Sequence, residues 1–153
     1  MGRWILVGVL ACGACAPPGS APSDDNTEEV SDQDLDGDGI REDVAVWIQA
    51  NIDDEEAQAG ARMTARGMLE MVDNPDDSQA VLTAGERILK GTECLAWAHD
   101  GSVYDVIIEM QSMHMDTSER GEAYLSAQSH LSGRSAPAWS GDERKSACIE
   151  EVE

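Results

Sequence analysis

From residue 41 onward, apolar residues recur every three to four positions, the period of a helix with one buried face. Val44, Trp47, Ile48 and Ile52 predict a first helix over residues 41–52. The acids Asp53, Asp54, Glu55 and Glu56 suit the start of a second, because negative charge is favoured at the positive end of the helix dipole. That helix runs to about Val72 with Ala61, Met68, Leu69 and Val72 inward, and Asn74-Pro75 stops it. A third helix opens near Asp76-Asp77-Ser78 and carries Val81, Ala84, Ile88, Leu89, Leu95 and Ala96 inward to about His99. Asp100-Gly101 breaks it. Val103, Val106, Ile107, Met110 and Met113 form the next stripe. Asp116, with Glu119 three residues on, resembles a capping box, and the helix it opens buries Tyr124, Ala127 and Leu131 before Gly133 at C′. Residues 134–140, with Pro137 and Trp139, read as a loop, and a short helix follows over about 141–151. Segments of this length with short breaks predict an all-α fold, a small antiparallel helical bundle of about five helices.

Composition agrees. The 153 residues hold no Phe, four Trp and two Tyr, so the core must come from Ala, Leu, Ile, Val and the seven Met. Such a core favours helix over strand. The formal charge of −21 excludes nucleic acid as a partner, because phosphate binding needs a basic surface. It equally disfavours electrostatic docking on an anionic membrane. Eight Arg against two Lys within this acid excess also fits adaptation to a saline habitat with no metal role.

The N-terminal stretch has a different character. Met1-Gly2-Arg3 precedes an eight-residue apolar run over residues 4–11, long enough for a secretory h-region and far short of the ~20 residues that span a bilayer. It ends in Leu10-Ala11-Cys12-Gly13-Ala14-Cys15, which resembles the lipobox of bacterial lipoproteins. Cys12, with Val9 and Ala11 before it, is the preferred lipidation site; Cys15, with Ala14 before it, is the alternative. The domain expectation is a signal segment over 1–15, a disordered tether over the Pro-, Ser- and acid-rich residues 16–33, and a helical domain over 34–153.

The acidic run over residues 32–43 carries the most chemistry. Aspartates at alternate positions, then a glycine, then further acids, are what a hard, oxygen-seeking Ca²⁺ requires. Counting from Asp34, positions 1, 3 and 5 are Asp34, Asp36 and Asp38, with Gly39 at 6 and the Ile40 carbonyl at 7. Position 12 is Ala45, so Glu42 or Asp43 must supply the missing acid. A register from Asp32 puts Asp43 at position 12 but places Gly39 where an apolar residue belongs. The Asp34 register is preferred, because the helix then begins at once. The run resembles the DxDxDG calcium loops of EF-hand, dockerin and thrombospondin type 3 repeats. More closely, DLDGDGIREDVAVWI resembles a segment near the N-terminus of many uncharacterised bacterial lipoproteins, and TSERGEAYLSAQSHLSG at 117–133 extends that likeness. The resemblance brings no known activity.

Beyond the signal only Cys94 and Cys148 remain, a natural disulfide pair in an oxidising compartment or else two buried thiols. Catalytic patterns are absent from the sequence: there is no HExxH, GxSxG, P-loop or GxGxxG. His99, His114 and His130 share no metal-ligand spacing, and His114 is expected on a helix surface or at a helix end. The function expected is a calcium-binding, non-enzymatic lipoprotein of the bacterial cell envelope, held at a membrane by its lipid anchor and presenting its domain to an envelope partner. The alternative is an enzyme or enzyme inhibitor whose site assembles from scattered residues.

Overall fold

A computed structural model describes residues 32–135 and 139–149. The expected signal segment, with Cys12 and Cys15, and most of the expected tether lie outside the described residues. Six helices follow in order: α1 Glu42–Asn51, α2 Glu55–Asp73, α3 Ser78–Ala98, α4 Val103–His114, α5 Ser118–His130 and α6 Gly141–Ile149. Among the described residues the protein is all-helical, with one helix more than the five expected. Among the described residues no helix is long and apolar enough to cross a membrane.

The antiparallel pair α2–α3 forms the spine. Its backbones approach closely because Gly60, Gly67 and Gly91 face the partner helix. A Cβ on Gly91 would lie 2.6 Å from the Gly60 carbonyl oxygen and from the Thr64 amide, and one on Gly67 would lie 2.8 Å from the Ala84 carbonyl. Around this spine one apolar core gathers Ile40, Val44, Ile48, Ile52, Ala61, Met68, Met71, Val81, Ala84, Leu95, Met110, Tyr124 and Ala127. The helical period therefore selects the buried set correctly almost throughout. Ala96 is the exception: it was expected inward and is exposed.

Side-chain caps open α2 to α5, whereas the α1 N-cap, Arg41, makes no such bond. Asp54 accepts from the Ala57 amide at 2.8 Å, and Asp77 accepts from the amides of Gln79 and Ala80 at 2.9 and 3.1 Å. For α5 the cap is Thr117, which accepts from the Arg120 amide at 3.2 Å, and not the expected Asp116, whose carboxylate is drawn to two arginines. The reciprocal pair expected there occurs instead at α6: the Ser140 amide donates to Glu143 Oε2 at 2.7 Å, and the Glu143 amide to Ser140 Oγ at 3.4 Å. Gly133 is left-handed (φ 78°), two residues past the α5 C-cap Leu131.

α6 lies against α3 through a small separate cluster of Cys94, Ala147 and Cys148, with Trp139 beside it. Cys94 and Cys148 are at disulfide distance, with Cα atoms 5.0 Å apart, as the cysteine count predicted.

Candidate metal centre

The loop preceding α1 is folded by its own carboxylates. Asp34 accepts from the Gly37 amide through Oδ1 at 2.8 Å and from the Gly39 amide through Oδ2 at 2.9 Å. Asp36 accepts from the Asp38 amide at 3.0 Å, and Asp38 from the Ile40 amide at 2.8 Å. These turns need left-handed backbone at Gly37 and Gly39 (φ 80° and 83°), which only glycine adopts without strain. Glu42, the first residue of α1, reaches back across the loop. Its Oε1 accepts from the amides of Leu35 at 2.5 Å and Asp36 at 3.2 Å, while its own amide donates to the Gln33 carbonyl at 3.1 Å. Asp32 and Gln33, placed by composition at the end of the tether, thus belong to the base of the loop.

The result brings Asp34, Asp36 and Glu42 together, with one carboxylate oxygen of each within 4.8 Å of the others. Glu42 Oε2 is closed to solvent and has no hydrogen-bond partner among the described residues. A solvent-excluded carboxylate oxygen without a donor is costly, and a cation is one way to satisfy it. The donor set, three hard anionic oxygens on a glycine-hinged loop, suits Ca²⁺ better than a soft or borderline metal.

Asp38 and Asp43, also expected as ligands from spacing, are not part of this cluster and lie beside arginines. The second oxygen of Asp38 lies 3.9 Å from Arg66 Nη2, and Arg66 Nε also donates to the Asp38 carbonyl at 2.9 Å. Asp43 is gripped by Arg41, Nε to Oδ1 at 3.1 Å and Nη2 to Oδ2 at 2.8 Å. The Ile40 amide serves Asp38, and its side chain enters the core. Asp32, the first position of the other register, lies outside this cluster, 3.4 Å from Arg120.

The arginines around the loop are the contact-making residues that periodicity did not single out. Arg41 is only 2% exposed. Besides Asp43 it binds the Met113 carbonyl at 2.6 Å, at the C-terminal end of α4 where a cation is favoured, and Asp116 at 3.1 Å. Burial works against its charge, but Asp43 and Asp116 outweigh that and raise its pKa. Burial likewise opposes the ionised form of Asp116, yet hydrogen bonds from Arg120 and Arg41 hold its carboxyl below the usual range. The one available signal was Arg41 itself, a bulky cation between a core residue and the helix start.

His114 keeps its expected place at a helix end but is buried there. It is 1% exposed, with Nδ1 2.8 Å from the Met110 carbonyl, to which it donates, and Nε2 without a partner among the described residues. Burial lowers its pKa; the Met110 bond opposes that, and the nearby Arg41 charge adds to it. His130 Nδ1 meets Ser78 Oγ at 3.0 Å on the surface.

No protein-family model, curated protein or solved structure matches the chain.

Proposed function

We propose that residues 34–42 form a structural Ca²⁺ loop at the entrance to the helical domain of an envelope lipoprotein. The carrying observation is the convergence of Asp34, Asp36 and Glu42 around a solvent-closed, donor-free Glu42 oxygen. Three carboxylates so close repel one another, and a divalent cation removes that repulsion. Since Glu42 is also the first residue of α1, the ion would fix the start of that helix and the loop in one step. Asp38, expected as a further ligand, lies outside the cluster with one carboxylate oxygen 3.9 Å from Arg66. A site with three committed carboxylates belongs with extracellular modules of roughly 10⁻⁴–10⁻³ M affinity, not with cytosolic sensors. The role is therefore stabilisation in a calcium-containing exterior, not signalling. The apolar run at 4–11 and the cysteines after it support an anchored, exported location. Calorimetric titration of the mature domain with Ca²⁺, beside Asp36→Asn and Glu42→Gln variants, tests the loop. Mass spectrometry for an acylated Cys12 or Cys15 tests the anchor, and an intact Met1 in the cytosol would contradict it.

A further inference from the structure

The two ends of the loop close on the same distant place. After the loop, Arg41 donates to the Met113 carbonyl and to Asp116, 72 and 75 positions later in the chain. Before it, Asp32 receives Arg120 at 3.4 Å through both its carboxylate and its carbonyl oxygen, across 88 positions. Asp116 joins the two arms, because it also accepts from Arg120 at 2.9 and 3.2 Å. The chain of contacts is thus Asp32, Arg120, Asp116, Arg41 and Asp43, with the turn between α4 and α5 at its centre.

We infer that the α4–α5 turn is the base on which the cation loop is held, with Asp116 as the positioning residue. Arg41 lies between Ile40 and Glu42, so wherever its guanidinium is fixed, the Glu42 backbone is fixed with it. Arg120 does the same for the residues leading into Asp34. Removing the Asp116 charge leaves the buried Arg41 with Asp43 as its one hydrogen-bonded acid beside the Met113 carbonyl, and releases Arg120 from one of the two acids it bonds. Both ends of the loop then loosen, while its middle stays held to the α2–α3 spine by the Arg66 bond to the Asp38 carbonyl and the spine itself stays as it was. Metal occupancy and order at the turn are therefore linked, and linkage is reciprocal. This second half rests on the calcium reading; the supporting role of the turn does not.

The test uses Asp116→Asn, with Arg120→Gln as a second variant that leaves Arg41 untouched. Amide exchange in the metal-free protein should show protection at Gly37, Gly39 and Ile40 falling about fivefold or more, with α2 and α3 unchanged. Calcium affinity should weaken by about five- to tenfold in both variants, and calcium should raise protection of the turn amides in the wild type. Unchanged loop protection in both variants would overturn the supporting role. A wild type with no calcium response would overturn the linkage together with the calcium reading, and the metal-free exchange would then decide the role of the turn by itself.

Discussion

The amide of Leu35 donates to Glu42 Oε1 at 2.5 Å, so the residue that opens α1 also closes the loop seven positions before it. This single contact makes loop geometry and helix start one cooperative unit. A Glu42→Gln change keeps an acceptor for Leu35 but removes a charge from the cluster. The metal-free protein should therefore keep its melting temperature or gain slightly from the lost repulsion, while calcium response drops at least tenfold. Thermal melts with and without 10 mM Ca²⁺ check this; equal calcium shifts in both proteins would contradict it.

Small-residue packing between α2 and α3 can be tested by two substitutions of opposite sign. Gly91→Ala puts a methyl group against backbone atoms of Gly60 and Thr64 that cannot move alone. It should cost about 1–3 kcal/mol despite the better helix propensity of alanine. Gly121→Ala, in α5 with nothing within 4 Å of the new atom, should instead stabilise by about 0.5–1 kcal/mol. Urea denaturation of the two variants reads both; a stabilised Gly91→Ala would sink the close-approach account.

Burial of His114 gives stability a pH dependence near neutrality. Its folded pKa lies below the unfolded value of about 6.5, so the unfolded chain binds the proton first. Stability is then complete above about pH 6.5 and is lost as pH falls toward the folded pKa, by at most about 1.4 kcal/mol per unit. Denaturation midpoints between pH 7.5 and 5.5 should decline, and a His114→Gln variant should flatten the curve over that range. A wild-type midpoint that rises on acidification would reverse the sign.

Much of this fold was legible because a buried face repeats every 3.6 residues, and Val44, Ile48, Met68, Val81, Leu95, Met110 and Tyr124 obey that period. The boundaries set by local chemistry were less so. Asp116 and Thr117 both suit an N-cap, and the choice fell to Thr117 only because Arg41 and Arg120, far away in the chain, draw the Asp116 carboxylate. The same cause separated the loop acids. Alternating Asp with Gly37 and Gly39 marked the loop, but which carboxylates converge depended on Arg66 from α2 and on Arg41, and no local spacing encodes those partners. His114, between two methionines, was legible as a helix-surface or helix-end residue; its burial at the end of α4, where Arg41 reaches the Met113 carbonyl, was not.

The disulfide should act chiefly on α6, whose described buried side chains are only Ala147 and Cys148. The bridge spans 54 positions, so the chain-entropy model gives it ~4 kcal/mol. Reduction should expose the amides of α6 to exchange before those of α2 and α3, and a Cys94→Ala, Cys148→Ala double variant should show the same order in exchange mass spectrometry. Uniform loss of protection across all helices would show that α6 is integral to the core.

The most direct measurement is calorimetric and thermal titration of the mature domain with Ca²⁺, wild type against Asp36→Asn. With an affinity near 10⁻⁴ M, 10 mM Ca²⁺ should stabilise the wild type by about 2.7 kcal/mol through mass action. It should also yield one saturable binding heat, while the variant shows neither at that concentration. A wild-type melt that ignores calcium, or an equal response from the variant, would contradict a metal centre at Asp34, Asp36 and Glu42.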